Sequence, residues 1–205
     1  MPLVVWPPRV AARQHRCRAS ARRWLAIAAA ALGVAMALGN CFAGAPAEQP
    51  IDEYQMKAAF LYNFAKFVTW PGDSFAGPND AIAICVVGWG PFGHWLEDTV
   101  KGKAVEGRGL AVRHISSLGE LHECHILFIG SSEEKGWLSR LAGVGKAGIL
   151  TVGESDAAGA AGVIVNFKLE DEGNKVRFEI NNRVAERQRL QISSKLLSLA
   201  CGVRK

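Results

Sequence analysis

The sequence predicts an α/β domain in which a mostly parallel sheet is flanked by helices on both faces. Four short apolar runs alternate with segments of helical spacing, which is typical of strands that are buried on both faces. The last third instead alternates apolar and polar residues around a polar turn, which predicts a C-terminal β-hairpin followed by helices. No repeat or second linker interrupts residues 48–205, so we expect a single domain there.

The first 47 residues predict an export signal. They carry six arginines and no acidic residue, and 15 uncharged residues, 24–38, follow the last arginine. Basic, apolar and small residues in that order are typical of a signal peptide, and the apolar run is shorter than the roughly 20 residues that span a membrane. Ala43 and Ala47 both suit cleavage, whereas Asn40 is a poor fit before a lipidated Cys41. We expect residues 1–47 to be removed.

The charge of the chain belongs to this leader. The formal net charge is +5, from 24 basic and 19 acidic residues. Removing the six leader arginines leaves 18 basic and 19 acidic residues. No basic run remains after residue 48. Composition therefore argues against nucleic acid as a partner.

The first predicted element is a helix over residues 52–70. Apolar residues recur in it at helical spacing and form a stripe wider than a surface helix needs. Asp52 and Glu53 suit the positive end of the helix dipole, and Pro71 and Gly72 end the helix. We expect a core helix, with the alternative that part of its aromatic face is left for a partner.

The remaining elements follow from apolar runs and their boundaries. Strands are predicted at 81–88, 109–115, 125–130 and 148–153, and helices at 91–100, 117–123 and 131–142. Pro91 suits the first turn of the helix that it opens. The hairpin arms are predicted at 163–169 and 175–180, and the last helices at 181–188 and 193–201.

Gly88, Gly90 and Gly93 match the glycine pattern of dinucleotide-binding loops, directly after a strand. Such a site also needs an acidic residue at the end of the second strand and free backbone N–H groups near the phosphates. Here the second strand ends in Arg113-His114-Ile115, and Pro91 lacks an N–H. The sequence therefore disfavours a nucleotide site.

Histidines near one strand form the only metal-like pattern. His122 and His125 are spaced as in some metal sites, with Cys124 between them, but such a site needs further ligands. A histidine at the start of a buried strand is more often a hydrogen-bonded edge residue. We expect no metal and no cofactor, and we find no catalytic constellation.

Three cysteines remain after the leader: Cys85, Cys124 and Cys201. Cys85 and Cys124 are 39 residues apart and lie in or beside two predicted strands. In a 2-1-3 strand order these strands are neighbours, which could bring the two sulfurs within reach. A structural disulfide is the favoured interpretation, a redox-responsive bond is the alternative, and Cys201 is the odd thiol.

Five blocks in the same order resemble the YfiR family, and together they span about residues 52–203. They are the opening helix at 54–71, Ile84-Cys85-Val86-Val87-Gly88 with Pro91-Phe92-Gly93, the runs 124–130 and 148–153, and the C-terminal segments 176–181 and 190–200. The resemblance implies a YfiR-like domain over residues 48–205.

The resemblance implies a periplasmic regulator rather than an enzyme. Members of the family bind the periplasmic domain of an inner-membrane diguanylate cyclase and hold it inactive, which lowers cyclic di-GMP and biofilm formation. An outer-membrane lipoprotein can sequester the repressor, and the family tends to form homodimers. Cys85 and Cys124 fall where the family has a disulfide, but its second cysteine pair has no counterpart between residues 145 and 175.

Aromatic residues in or next to loops and helix ends are the candidate partner contacts: Trp70, Phe75, Trp89, Phe92 and Trp95. Aromatic side chains are common anchors of protein interfaces. The alternative is that they cover the sheet. A rival function is a periplasmic small-molecule-binding sensor with a pocket lined by Trp89, His94 or Trp95.

Overall fold

A central sheet with helices on both faces organises the structure, a computed structural model that describes residues 52–88, 91–141, 148–170 and 175–205. The helices are α1 Glu53–Phe67, α2 Trp95–Val100, α3 Glu134–Leu141, α4 Asp156–Ala161, α5 Asn182–Arg187 and α6 Ser194–Leu199. The strands are β1 Val68–Thr69, β2 Ile82–Val87, β3 Ala104–Val105, β4 Arg108–Ile115, β5 Ile126–Phe128, β6 Leu150–Gly153, β7 Val165–Glu170, β8 Lys175–Asn181, β9 Gln191–Ile192 and β10 Gly202–Arg204.

Eight of the strands within the described ranges form one sheet in the order β10-β8-β7-β6-β5-β2-β4-β3. Neighbours from β4 through β7 are parallel, and β7 and β8 form the antiparallel hairpin. The predicted α/β class is therefore confirmed. The first predicted strand lies between the second and the third, as the 2-1-3 order requires.

Helix α1 covers one face of the sheet. Asp52 caps its start, since the carboxylate accepts the N–H of Tyr54 at 2.8 Å. Its Phe64 packs on Phe167 and Phe178 of the hairpin at ring distances of 5.9 and 5.2 Å. The helix ends at Phe67, before the predicted residue 70, because the next two residues form β1 and pair with β9.

The two faces of the sheet carry separate clusters because successive side chains of a strand point to opposite sides. In β2, Ile84 and Val86 join the cluster under α1, whereas Cys85 and Val87 join the cluster that contains Trp137 of α3. The continuous apolar run of β2 is thus explained by burial on both sides.

Two predicted helices begin later than expected, and one helix was missed. The predicted helix 91–100 begins at Trp95, because residues 91–94 form a turn in which Gly93 adopts a φ of 54°. The predicted helix 131–142 begins at Glu134 after a turn. Helix α4 is capped by Ser155 and is made of small residues, so it lacks an apolar periodicity that would have predicted it.

The predicted leader, residues 1–47 with Cys41, lies outside the described residues. The described residues belong to one compact unit. Within the described ranges, no helix combines the length and the apolarity that crossing a bilayer requires.

Gly153 marks the closest approach between β6 and α4. A Cβ at this position would fall inside van der Waals contact with the Cβ of Ala158. Gly153→Ala is therefore expected to lower the free energy of unfolding by about 1–3 kcal/mol, measured by chemical denaturation. The control is Gly136→Ala in α3, where a Cβ meets nothing within 4 Å, and it should stabilise by about 0.5–1 kcal/mol. Equal effects at the two glycines would contradict the close packing.

Candidate functional site

A disulfide ties the two central strands of the sheet together. Cys85 lies in β2, Cys124 lies two residues before β5, and their Cα atoms are 5.7 Å apart. The two residues are 0% and 3% exposed. A reductant reaches such sulfurs only when the domain opens, so the geometry favours a structural bond over a redox-responsive one. Cys201 is an exposed free thiol.

A buried lysine lies at the start of α1, where the sequence pattern predicts only apolar packing. Lys57 is 2% exposed, and its ammonium group contacts the carboxylates of Glu53 and Glu154, the latter at 2.6 Å. The ammonium also lies 4.5 Å from the centre of the Tyr54 ring. A buried ammonium needs such compensation, because removing it from water is costly.

Glu154 connects three segments of the chain. It follows β6, and its Oε1 accepts the backbone N–H of Ser131 at 2.8 Å. Burial, with the neighbouring carboxylates of Glu154 and Glu53, raises the pKa of the Tyr54 hydroxyl. Tyr54 therefore stays protonated and points its hydroxyl at Glu154 at 3.4 Å. The network fixes α1 to the loops after β5 and β6.

A second buried carboxylate joins the same loops. Glu134, at the start of α3, is 3% exposed and accepts the hydroxyl hydrogen of Ser155. It also accepts the N–H of Glu154 at 3.4 Å. The Glu134–Ser155 contact links the segment after β5 to the cap of α4.

These residues border an acidic cleft of about 520 Å³ at the carboxyl ends of β2, β5 and β6. Among the residues that the structure describes, its lining comprises Tyr54, Val87, Gly88, Pro91, Gly130, Ser131, Ser132, Glu133 and Glu154. In open α/β sheets, ligands bind at this edge of the strands. Glu133 and Glu154 are the charged residues of the described lining, and Glu154 is already paired with Lys57, so no basic side chain of that lining is available to bind a phosphate.

The structure separates the histidines of the metal-like pattern. His125 is buried: its Nδ1 accepts the N–H of Ala83 at 3.1 Å, and its Nε2 donates to the carbonyl of Ser74 at 3.2 Å. His122 is exposed, and His114 lies at the opposite edge against Gly88. Within the described ranges, no group of three or more His, Cys, Asp or Glu residues is arranged to hold a metal.

The predicted partner contacts do not form one surface. Phe92 and Trp70 are 2% and 9% exposed and pack in the core, where the Trp70 indole donates to the carbonyl of His125 at 3.2 Å. Phe75 and Trp95 are partly exposed, but they precede and follow β2 and so lie near its opposite ends. Trp89 lies outside the described residues.

The aromatic environments of the two accessible residues differ. The Phe75 ring stacks on the His125 ring with their centres 4.4 Å apart, and the guanidinium of Arg108 lies 3.8 Å from the centre of the Phe75 ring. Trp95 lies 4.3 Å from the ring of the exposed His94. Neither Trp95 nor His94 lines the acidic cleft, so the acidic cleft is not the sensor pocket predicted around these two residues.

The likeness to solved structures supports the fold. The crystal structure of a conserved domain protein from Vibrio cholerae O1 biovar eltor is similar, with a TM-score of 0.50 and 10% sequence identity. The alignment covers 74% of this chain, and the chain spans about 60% of the length of that protein. No curated protein matches the sequence.

The family comparison covers most of the described domain. The model of the YfiR/HmsC-like family matches residues 54–201, from the first turn of α1 to the residue before β10. This range contains the disulfide, the buried lysine and the acidic cleft. The chain therefore belongs to the YfiR/HmsC-like family, a family of periplasmic regulators of diguanylate cyclase signalling.

Proposed function

We propose that the protein inhibits an inner-membrane diguanylate cyclase by binding the periplasmic domain of that enzyme. The family match over residues 54–201 carries the proposal, because the family is regulatory rather than catalytic. The protein then lowers cyclic di-GMP and biofilm formation without turning over a substrate. A homodimer, and sequestration by an outer-membrane lipoprotein, belong to the same proposal.

The physical requirement on such a repressor is modest. It must bind the inactive state of the cyclase more tightly than the active state. A difference of about 3 kcal/mol shifts the ratio of the two states more than 100-fold. A rigid surface supplies this preference without any chemistry, and the disulfide between Cys85 and Cys124 supports such rigidity.

Deleting the gene in its host is expected to raise cyclic di-GMP, because the cyclase loses its inhibitor. The measurement is the cellular concentration of cyclic di-GMP in the wild type, the deletion strain and the complemented strain. Unchanged levels in cells that express the cognate cyclase would contradict the proposal. Complementation with a version lacking residues 1–47 is the control and should fail, because that version stays in the cytoplasm.

Export itself is part of the proposal. We propose that residues 1–47 act as a signal peptide, that residues 48–205 form the mature YfiR-like domain in the periplasm, and that Cys41 leaves with the leader. The intact mass of the protein isolated from the periplasm tests this cleavage. A mass that includes the leader, or a lipid on Cys41, would contradict it.

Phe75 and Trp95 are the accessible members of the predicted contact set, and we propose each as an anchor for the cyclase. Trp95→Ala and Phe75→Ala should each weaken binding to the periplasmic domain of the cyclase by about 30-fold, because each removes an anchor side chain. Isothermal titration calorimetry measures the loss, and thermal unfolding shows whether the variant is folded. A folded double variant that binds like the wild type would remove both residues from the interface.

The alternative function is a periplasmic sensor of a small molecule, and the acidic cleft at the carboxyl ends of the strands favours it. The exposed carboxylate of Glu133 in the lining favours a cationic ligand such as an amine. Tryptophan fluorescence and thermal shift against matched panels of amines and carboxylates separate the two functions. A sensor should change its fluorescence or melting temperature with one amine at low concentration. A repressor that needs no ligand should lower cyclic di-GMP when no amine is added.

A further inference from the structure

A basic and aromatic surface lies at the C-terminal end of α1, away from the acidic cleft at the other end. It consists of Tyr62, Lys66, Phe67, Lys103, Lys195 and Leu199, and we call it the lysine–aromatic surface. About 20 Å of helix separates Tyr54, which lines the cleft, from Phe67. The two features are therefore different sites.

Three ammonium groups gather over two aromatic rings. The Nζ of Lys103 lies 4.4 Å from the centre of the Tyr62 ring, and the Nζ of Lys66 lies 5.5 Å from the same ring. The Nζ of Lys195 lies 5.3 Å from the centre of the Phe67 ring. Cation–π attraction holds each group there, although the three like charges repel one another.

None of the three lysines forms an ion pair with a carboxylate of the described residues. By contrast, Lys57 and Lys168 each have a carboxylate partner. After residue 47 the chain carries 18 basic and 19 acidic residues, so the surface concentrates positive charge on a nearly neutral protein.

An apolar side chain accompanies the charges. Leu199 is 54% exposed, far more than the other large apolar residues of α6. It lies four residues after Lys195 and therefore on the same side of that helix. Exposed lysines over aromatic rings, on the same side as an exposed leucine, combine the cationic and apolar groups that bind at the level of lipid headgroups.

We propose that the lysine–aromatic surface adsorbs onto bilayers that contain anionic phospholipids. The phosphates supply the missing counter-charge, and Leu199 inserts at the headgroup boundary. Each lysine near an anionic bilayer strengthens binding about fivefold, so three strengthen it about a hundredfold. A lipid surface fits better than a protein pocket because all three lysines are exposed residues. The proposal does not depend on cyclase inhibition.

Co-sedimentation with vesicles tests the proposal on the protein purified from the periplasm. The vesicles contain phosphatidylcholine alone or phosphatidylcholine with phosphatidylglycerol, at low salt. The wild type should bind the anionic vesicles and not the neutral ones. The triple variant Lys66→Gln, Lys103→Gln and Lys195→Gln should bind about a hundredfold more weakly.

A matched triple variant controls for net charge. Lys135→Gln, Lys175→Gln and Arg187→Gln remove the same charge from exposed positions elsewhere and should leave binding close to that of the wild type. Leu199→Ser should weaken binding at unchanged charge. Equal binding by the two triple variants, once both are shown to be folded, would overturn the proposal. Equal binding of the wild type to vesicles with and without phosphatidylglycerol would also overturn it. If the triple variant of Lys66, Lys103 and Lys195 lost cyclase inhibition but bound vesicles normally, the surface would be a protein contact instead.

Discussion

Replacing both Cys85 and Cys124 by alanine is expected to lower the free energy of unfolding by about 4 kcal/mol. The bond closes a loop of 39 residues, and the loss follows from the greater conformational entropy that the unfolded chain gains without it. Urea unfolding of the wild type and of the double variant measures the difference. For a domain of this size, such a loss is a large part of the total stability.

Two controls show whether the loss of stability comes from the disulfide itself and not from changing any cysteine. Cys201→Ser alters an exposed free thiol and should change stability by less than about 0.5 kcal/mol. Reductant added to the folded wild type should act slowly, since both sulfurs are buried. Rapid reduction without denaturant, or a double variant as stable as the wild type, would contradict a structural role for the bond.

Lys57→Met is expected to destabilise the domain by about 3–5 kcal/mol. The substitution keeps the apolar stem but removes the ammonium group, which leaves the 5% exposed Glu154 carboxylate without its counter-ion. Lys66→Met in the same helix is the matched control, because Lys66 is exposed, and it should change stability by less than about 0.5 kcal/mol. Chemical denaturation measures both.

The double variant Lys57→Met, Glu154→Gln shows whether the loss comes from the unpaired charge. The glutamine keeps an oxygen that accepts the N–H of Ser131 and carries no charge. It should recover most of the stability that Lys57→Met loses. If the double variant is no more stable than the single one, packing of the lysine stem and not its charge is what matters at this position.

The sheet could be predicted because its strands are short apolar runs with clear ends. The run around Cys85 is buried on both faces, so no polar residue interrupts it. Short elements that exist only through tertiary pairing could not be predicted. Strands β1 and β9 have two residues each, and no local pattern of that length distinguishes a strand from a loop.

The disulfide could also be predicted, because strand order and cysteine positions together imply the pairing. The buried network at the acidic cleft was missed, although one signal for it was present. Lys57 follows Tyr54 by three residues and precedes Leu61 by four, so it lies on the apolar stripe of the helix. A lysine there requires a buried partner, but that partner, Glu154, is 97 residues away, and only the fold brings it close.

The surface exposure of the candidate partner contacts was the least predictable from the sequence. Aromatic residues near loops serve the core as often as a surface, and the sequence does not distinguish Phe92, which is buried, from Trp95, which is partly exposed. The lysine–aromatic surface was missed because its lysines come from three separate segments of the chain. Charge counted along the sequence gives no hint of that cluster.

The most direct test of the central claim is the output of the cognate cyclase with and without this protein on the periplasmic side. The cyclase is expressed in a host that lacks its own diguanylate cyclases, alone or together with the exported protein, and cyclic di-GMP is measured at equal cyclase levels. The repressor model predicts a clear fall in cyclic di-GMP when the protein is present. Equal output with a folded, exported protein would contradict it.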